Sequence, residues 1–228
     1  MDIDLIIFDC DGVLIDSELL ANGSEVDFLK TLGVDISLDT YMQQFVGKGN
    51  ADVLASLQRD YGQAIPNDFW QQVEAYTFEV FRERLTAIPG MPEVVDRVQG
   101  KKCVASNSSL ERLDVSLNVT KLYQRFIPNI FSAEQVAKPK PAPDLFLLAA
   151  QIMDVASEAC LVIEDSPHGV AAAGEAGMTA VGFMAGSHIK PGHDARLRAA
   201  GVVEVCASTA SLTAWLSRHH LLVDVSAP

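Results

Sequence analysis

Short apolar runs that stop abruptly at polar or acidic residues constrain this chain of 228 residues more than any other feature. Ile3 to Phe8 ends at Asp9-Cys10-Asp11-Gly12. Lys102 to Ala105, Cys160 to Ile163 and Thr179 to Met184 repeat the pattern, and Val202 to Cys206 is a fifth run. Each is short, apolar and rich in β-branched residues, as expected of strands buried on both faces of a parallel sheet. Helical patterns separate them. Pro92 to Gln99 precedes the second run and Pro143 to Met153 the third. Gly169 to Ala176 precedes the fourth, with Gly177 as its C′ stop, and Ser208 to Arg218 follows the fifth, with Ser208 or Thr209 as N-cap. The alternation predicts an α/β fold with a doubly wound parallel sheet.

One stretch breaks the alternation. Between the first two strands lie about ninety residues without a strong strand signal, far more than an ordinary crossover needs. They read as helices over Ser17 to Leu32, Ser37 to Gln44, Ala51 to Tyr61 and Asn67 to Leu85, the first capped by Asp16 or Ser17 and stopped by Gly33. Residues 16–87 are therefore expected to form an inserted helical domain, and residues 1–15 with 88–228 the α/β core. Both linkers, the turn after Asp11 and Ile88-Pro89-Gly90, leave the same sheet edge. The insert is thus expected above the C-terminal ends of the strands, where open α/β sheets bind ligands. Tyr41, Phe45, Trp70 and Tyr76 are expected in the core of the insert rather than against a ligand.

Charge narrows the partners. Formal net charge is −13, with 30 acidic against 17 basic residues, so nucleic acid and anionic membrane are poor partners. An anionic substrate would need a local positive field from a metal, lysines or backbone N–H groups. Hydrophobic residues make up 49% of the chain, which argues against disorder. No leader peptide or membrane span is expected, since the run from Leu5 to Phe8 is too short and Asp2 and Asp4 sit where a basic segment would lie. The four cysteines, Cys10, Cys103, Cys160 and Cys206, are widely spaced, and buried free thiols in a cytoplasmic protein are expected.

Four polar clusters fall at or just beyond strand ends or in the connecting loops. Asp9-Cys10-Asp11-Gly12 can aim two carboxylates into one pocket as the chain leaves the strand, and Gly12 permits the backbone such a turn needs. Ser106-Asn107-Ser108-Ser109 offers a hydroxyl and N–H groups entering a helix, a pattern suited to an oxyanion. Lys138-Pro139-Lys140-Pro141-Ala142-Pro143-Asp144 is a stiff loop that can hold a lysine at a fixed point. Glu164-Asp165-Ser166 places acids where, with Asp9, they make a hard oxygen site for Mg²⁺. Taken singly, each has an ordinary explanation: Asp165, Ser166, Ser106 or Ser108 as helix caps, and the lysines as surface charges. Together, their order and chemical complementarity favour a site.

These segments carry a resemblance. FDCDGVLIDSE (Phe8 to Glu18), VASNSS (Val104 to Ser109), KPAPDLF (Lys140 to Phe146) and VIEDSPHGVAAAGEAGM (Val162 to Met178) resemble, in order, the four motifs of the haloacid dehalogenase superfamily. The variant is similar to the β-phosphoglucomutase-like subfamily, with its helical C1 cap between the first two motifs. The resemblance implies a Rossmann-like core and a phosphatase in which Asp9 is the nucleophile and Asp11 the general acid and base. It also implies Mg²⁺ held by Asp9, the Asp11 carbonyl, Asp165 and Glu164, the last directly or through water. Ser106, the Asn107 N–H and Lys140 would hold the phosphoryl oxygens, with Lys138 the second choice for that lysine.

Within the superfamily, dehalogenases and phosphonatases lack the second aspartate of the first motif, so Asp11 argues against both. β-Phosphoglucomutases place a histidine soon after the first motif and an arginine in the cap loop. The corresponding places here are Ala21 and Gly47-Lys48-Gly49-Asn50, which leaves hydrolysis as the simpler outcome. A mutase is the alternative, and a non-catalytic binding protein of the same fold is the second. The expected substrate is a small phosphorylated metabolite such as a sugar phosphate or phosphogluconate, acted on by a monomer or small homo-oligomer. Lys48 and Asn50, in the loop from Val46 to Asn50, are the candidates for substrate selection. The same loop reads equally as a helix-start turn with Asn50 as N-cap. The five histidines show no metal-ligand spacing, and none is given a role.

Overall fold

A computed structural model describes residues 2–45 and 48–223, with Gln63 described by its backbone alone. β1 (Leu5–Phe8) is followed by α1 (Glu18–Thr31), α2 (Leu38–Phe45), α3 (Asn50–Tyr61) and α4 (Phe69–Arg84). The chain then alternates through α5 (Met91–Arg97), β2 (Lys101–Ser106), α6 (Leu110–Val119), β3 (Ile130–Ser132), α7 (Asp144–Met153) and β4 (Cys160–Glu164). It finishes through α8 (Pro167–Glu175), β5 (Thr179–Phe183), α9 (His193–Ala200), β6 (Glu204–Cys206) and α10 (Thr209–Arg218).

The strands form one parallel sheet in the order β3-β2-β1-β4-β5-β6. The order reverses at β1, and open α/β sheets bind ligands at such a switch point, beyond the carboxyl ends of the strands. Register decides what meets there. Phe8 pairs with Val104 on one side and Ile163 on the other. Asp9 and Glu164 therefore leave neighbouring strands at the same height, and the Asp9 N–H donates to the Ile163 carbonyl at 3.0 Å. Leu5 and Ile7 of β1 belong to a core with Cys103, Val162, Leu145, Phe146 and Val170. By the two-residue period, Ile6 and Phe8 face the opposite side, where Phe8 meets Phe126 edge-on at 5.9 Å.

The chain divides into two units, Met1–Asp16 with Thr86–Pro228, and Ser17–Leu85. The crossing segments run side by side within the α/β unit. Ile15 and Ala87 form an antiparallel bridge, the Asp16 N–H donates to the Thr86 carbonyl at 3.0 Å, and the Ile88 N–H donates to the Leu14 carbonyl at 2.9 Å. The helical unit has its own core of Val26, Leu29, Tyr41, Phe45, Leu57, Phe69 and Val73, with Trp70 packed against it. Ser17 occupies the N-cap position of α1 without a side-chain cap bond. Asp16, the other candidate cap, instead accepts from Ser187.

Three elements escaped the sequence reading. β3 is three residues long, too short for a pattern to register. α6 was implied after Ser106 but not bounded; Ser109, rather than Ser106 or Ser108, caps it by accepting from the Arg112 N–H. α9 buries only Leu197 among its apolar side chains, so its periodicity is faint.

All four cysteines are buried free thiols. Burial is the largest influence on each and pushes it up, to about 11 for Cys160 and Cys206, and well above the ordinary thiol range for Cys10 and Cys103. Because the thiolate is the reactive form, the native protein is expected to resist a disulfide reagent at pH 8. All four thiols should titrate after unfolding in guanidinium.

Candidate active site

The first motif supplies two carboxylates with different surroundings. Asp9, at the end of β1, is buried and accepts from the Lys140 ammonium at 3.0 Å. Burial pushes its carboxyl well above the ordinary range; Lys140 opposes that, while Glu164, Asp165 and Asp11 add to it. Asp11 lies one alternation further on. Its Oδ2 accepts from Ser108 Oγ at 2.7 Å, with Ser106 Oγ at 3.5 Å, and its Oδ1 stands 3.7 Å from the Arg112 guanidinium. The strand turn thus aims Asp9 at a lysine and Asp11 at hydroxyls.

Lys140 is the centre of the arrangement. Its ammonium donates to Asp9 at 3.0 Å and to Glu164 Oε1 at 2.8 Å, and it lies 4.7 Å from the centre of the Phe146 ring. Burial works against the charged amine, yet the carboxylates of Asp9 and Glu164 outweigh it and hold the lysine above its ordinary value. Asn107 fixes the lysine's main chain from both sides: its Oδ1 accepts from the Lys140 N–H at 3.0 Å and its Nδ2 donates to the Lys140 carbonyl at 3.1 Å. Lys138, the second choice, is exposed.

Glu164 is held at both oxygens. Lys140 takes Oε1, and Ser166 donates to Oε2 from its N–H at 2.8 Å and its hydroxyl at 2.9 Å. Ser166 also caps α8 by accepting from the Gly169 N–H, so the ordinary cap reading and the site reading are both present in one residue. Gly169 leaves the space Glu164 fills: a Cβ there would lie 1.7 Å from Glu164 Oε1. Gly169→Ala is expected to displace Glu164 and cost about 1–3 kcal/mol as overpacking does, read as a fall in urea midpoint at unchanged m-value.

Asp9, Glu164 and Asp165 offer carboxylate oxygens within 4.8 Å of one another. Asp9 and Glu164 share the Lys140 ammonium, with the Asp165 carboxylate beside them, and a divalent cation would offset the clustered negative charge. The donors are hard oxygens, the set suited to Mg²⁺ or a similar ion. Gly12, at φ +77°, makes the approach possible, because a Cβ there would fall 2.0 Å from Asp165 Oδ2.

The structure therefore brings Asp9, Asp11, Ser106, Asn107, Lys140, Glu164 and Asp165 together in the α/β unit. Lys48 and Asn50 lie in the helical unit, both exposed, where they line a cavity of about 170 Å³ with Asn22, Glu25, Tyr41 and Trp70. Val46 and Gly47 of that loop lie outside the described residues. Gly49, not Asn50, is the N-cap of α3, and the Asn50 carbonyl accepts from Trp70 Nε1 at 2.8 Å. Ser108, Ser166, Arg112, His188 and His193 were not singled out as site residues. Ser108 and Ser166 stood within clusters already noted, whereas the histidines lie beyond β5, in a segment without a strand-end acid to draw attention.

A profile of haloacid dehalogenase-like hydrolases matches residues 3–177. The chain belongs to that family. It is 27% identical to the 6-phosphogluconate phosphatase of Escherichia coli K12 over 190 residues, 83% of this chain and 86% of that protein. It is 31% identical to hexitol phosphatase B of the same organism over 181 residues, covering 77% and 81% of the two chains. A candidate β-phosphoglucomutase of Thermotoga maritima superposes with a TM-score of 0.80 at 25% identity, across 95% of this chain and 99% of that one. The sheet order and the strand-end site agree with the expected Rossmann-like core. No described helix of this family member is long and apolar enough to cross a membrane.

Proposed function

We propose that the chain is a Mg²⁺-dependent phosphatase that hydrolyses a small phosphomonoester through a phosphorylated Asp9. The observation that supports this most is the Lys140 ammonium bridging Asp9 and Glu164 at 3.0 and 2.8 Å, with Asp11 held on Ser108 nearby. Phosphoryl transfer depends mainly on position and charge, and these residues supply both.

In the first step an Asp9 oxygen attacks phosphorus and the bond to the ester oxygen breaks. Asp11, protonated at this stage, gives its proton to the leaving alcohol oxygen. In the second step Asp11 takes a proton from water as the water oxygen attacks phosphorus. The acyl-phosphate P–O bond breaks, which returns Asp9 and releases inorganic phosphate. Ser106, the Asn107 N–H and Lys140 hold the phosphoryl oxygens. Asp9, Asp165, the Asp11 carbonyl and, directly or through water, Glu164 would hold the cation, which would neutralise phosphoryl charge when bound. Lys140 opposes the burial and the acidic neighbours that favour the neutral form of Asp9, and Glu164, fixed by Ser166, keeps Lys140 in place.

The substrate we propose is a sugar phosphate, sugar-acid phosphate or polyol phosphate, the kinds named for the two Escherichia coli relatives. The helical unit, residues 16–87 in outline, is read as a cap that selects among them through Lys48 and Asn50. The enzyme would act in the cytoplasm as a monomer or small homo-oligomer. Phosphate release is to be measured over a panel of sugar, sugar-acid, polyol and nucleoside phosphates, with Mg²⁺ and with EDTA. The expected result is Mg²⁺-dependent release from a few small substrates and none in EDTA. Conversion of β-glucose 1-phosphate to the 6-phosphate without release would make the chain a mutase. No turnover of any substrate would favour a non-catalytic protein.

A further inference from the structure

Asp165 is gripped from two directions by histidines that the mechanism leaves unused. The His188 Nε2–H donates to Asp165 Oδ2 at 3.0 Å, and His193 Nε2 bonds the Asp165 main-chain carbonyl oxygen. The direction of the second bond follows from its neighbour. Arg196 meets His193 Nδ1 at 2.7 Å, and a guanidinium can only donate. Nδ1 is therefore the acceptor, and the ring proton sits on Nε2, aimed at the carbonyl.

The loop carrying His188 is built to hold the ring in place. A Cβ on Gly12 would lie 2.8 Å from His188 Cε1, and a Cβ on Gly186 would lie 2.7 Å from the same atom. Only glycines leave the ring its place. Ser187 fixes the loop between them, donating to Asp16 Oδ1 from its N–H at 2.9 Å and its hydroxyl at 2.8 Å. His193 is buried at the first residue of α9. Carboxylates that ligate cations are commonly oriented by such outer partners, whose loss weakens metal binding by about 10- to 100-fold.

We propose that His188 and His193 are positioning residues for the cation site: His188 sets the plane of the Asp165 carboxylate, and His193, its tautomer chosen by Arg196, holds the Asp165 main chain. Divalent-cation affinity then depends on the segment from Gly186 to Arg196 as well as on the carboxylates themselves. The inference rests on the reading of Asp165 as a cation ligand.

The test uses the full chain stripped with EDTA and titrated with Mn²⁺ alone, free Mn²⁺ being read by its electron paramagnetic resonance signal. Thermal unfolding in EDTA is measured alongside. His188→Ala is expected to weaken Mn²⁺ binding by about 10-fold or more, and His188→Gln, which keeps an N–H donor at the corresponding place, by no more than about three-fold. His193→Gln should likewise stay near the wild-type value. Arg196 is exposed, so Arg196→Ala should fold even where His188→Ala does not, and it is expected to weaken binding by about three-fold through the lost tautomer choice. Asp165→Ala is expected to abolish binding. Mn²⁺ affinity unchanged in both His188→Ala and Arg196→Ala, with binding lost in Asp165→Ala, would overturn the positioning roles and leave the ligand reading intact. Mn²⁺ binding retained in Asp165→Ala would overturn that reading and the inference with it.

Discussion

Asp9→Asn is expected to fold and to lose turnover by about 10⁴-fold or more, about 5 kcal/mol at 1.36 kcal/mol per decade. An amide is a poor nucleophile and a weaker cation ligand than a carboxylate, so both uses of Asp9 fail at once. Stability should move the other way. Burial and the neighbouring acids push the Asp9 carboxyl above its ordinary 3.8, so the native state favours its neutral form. The sign follows by linkage: a raised carboxyl contributes stability below its unfolded pKa, and that contribution is lost as pH rises through the folded value. The neutral amide escapes this loss. In EDTA, the melting temperature of Asp9→Asn should therefore hold level with or exceed wild type near pH 7, and the advantage should shrink on acidification. Stop-flow phosphate release and differential scanning calorimetry across pH check the two halves separately. Near-normal turnover in Asp9→Asn would contradict the mechanism.

Lys140→Met should produce the largest loss of stability. The side chain keeps its approximate length but removes the one ammonium that Asp9 and Glu164 share at 3.0 and 2.8 Å, with the lysine side chain only 4% exposed. Breaking a buried pair leaves an uncompensated charge and costs about 3–5 kcal/mol. The urea midpoint in EDTA is expected to fall accordingly, and turnover should be lost as well. Lys140→Arg should not restore either property, because a planar fork cannot occupy the place of a point charge wedged between two carboxylates and the Phe146 ring. Part of the lost stability should return on adding Mg²⁺, since a cation offsets the same negative charge. An unchanged urea midpoint in Lys140→Met would show that the ion pairs do not hold this part of the core.

The parts of the fold that could be read from the sequence are those where burial leaves a mark on residue type. β1 and β4 are buried along their whole length, β5 from its second residue and β2 from its third, so the buried stretches read as apolar runs. β3 pairs over only Ile130 to Ser132 at the sheet edge, and three residues cannot display a period. α10 announced itself through Ser208, whose side chain caps the helix with Ser211 as its reciprocal partner. α9 carries His193, Asp194, Arg196 and Arg198 among its eight residues, and Leu197 alone of its apolar side chains is buried.

Site residues followed the same rule. Asp9, Asp11, Glu164 and Asp165 stand directly at strand ends, where alternation and register determine where they go. Lys140 was legible because prolines hold its loop, but the choice between Lys138 and Lys140 needed the resemblance, and only the three-dimensional arrangement shows one exposed and the other buried. Asn107 was expected to present its N–H; that its side chain also clamps the Lys140 main chain depends on a contact across 33 residues, which no local pattern encodes. His188 meets Asp165 through a loop after β5 whose course is set by Gly12 and Gly186, from opposite ends of the chain. Spacing within the sequence could not have joined them.

The central claim is that a phosphoryl group passes through Asp9. The most direct measurement is rapid acid quench of the enzyme during turnover of its best substrate, followed by intact-mass and peptide mass spectrometry. The account predicts a transient adduct of one phosphoryl group, confined to the peptide containing Asp9, absent in EDTA and absent in Asp9→Asn. Phosphate release at the wild-type rate with no adduct, or with an adduct on any other residue, would contradict it.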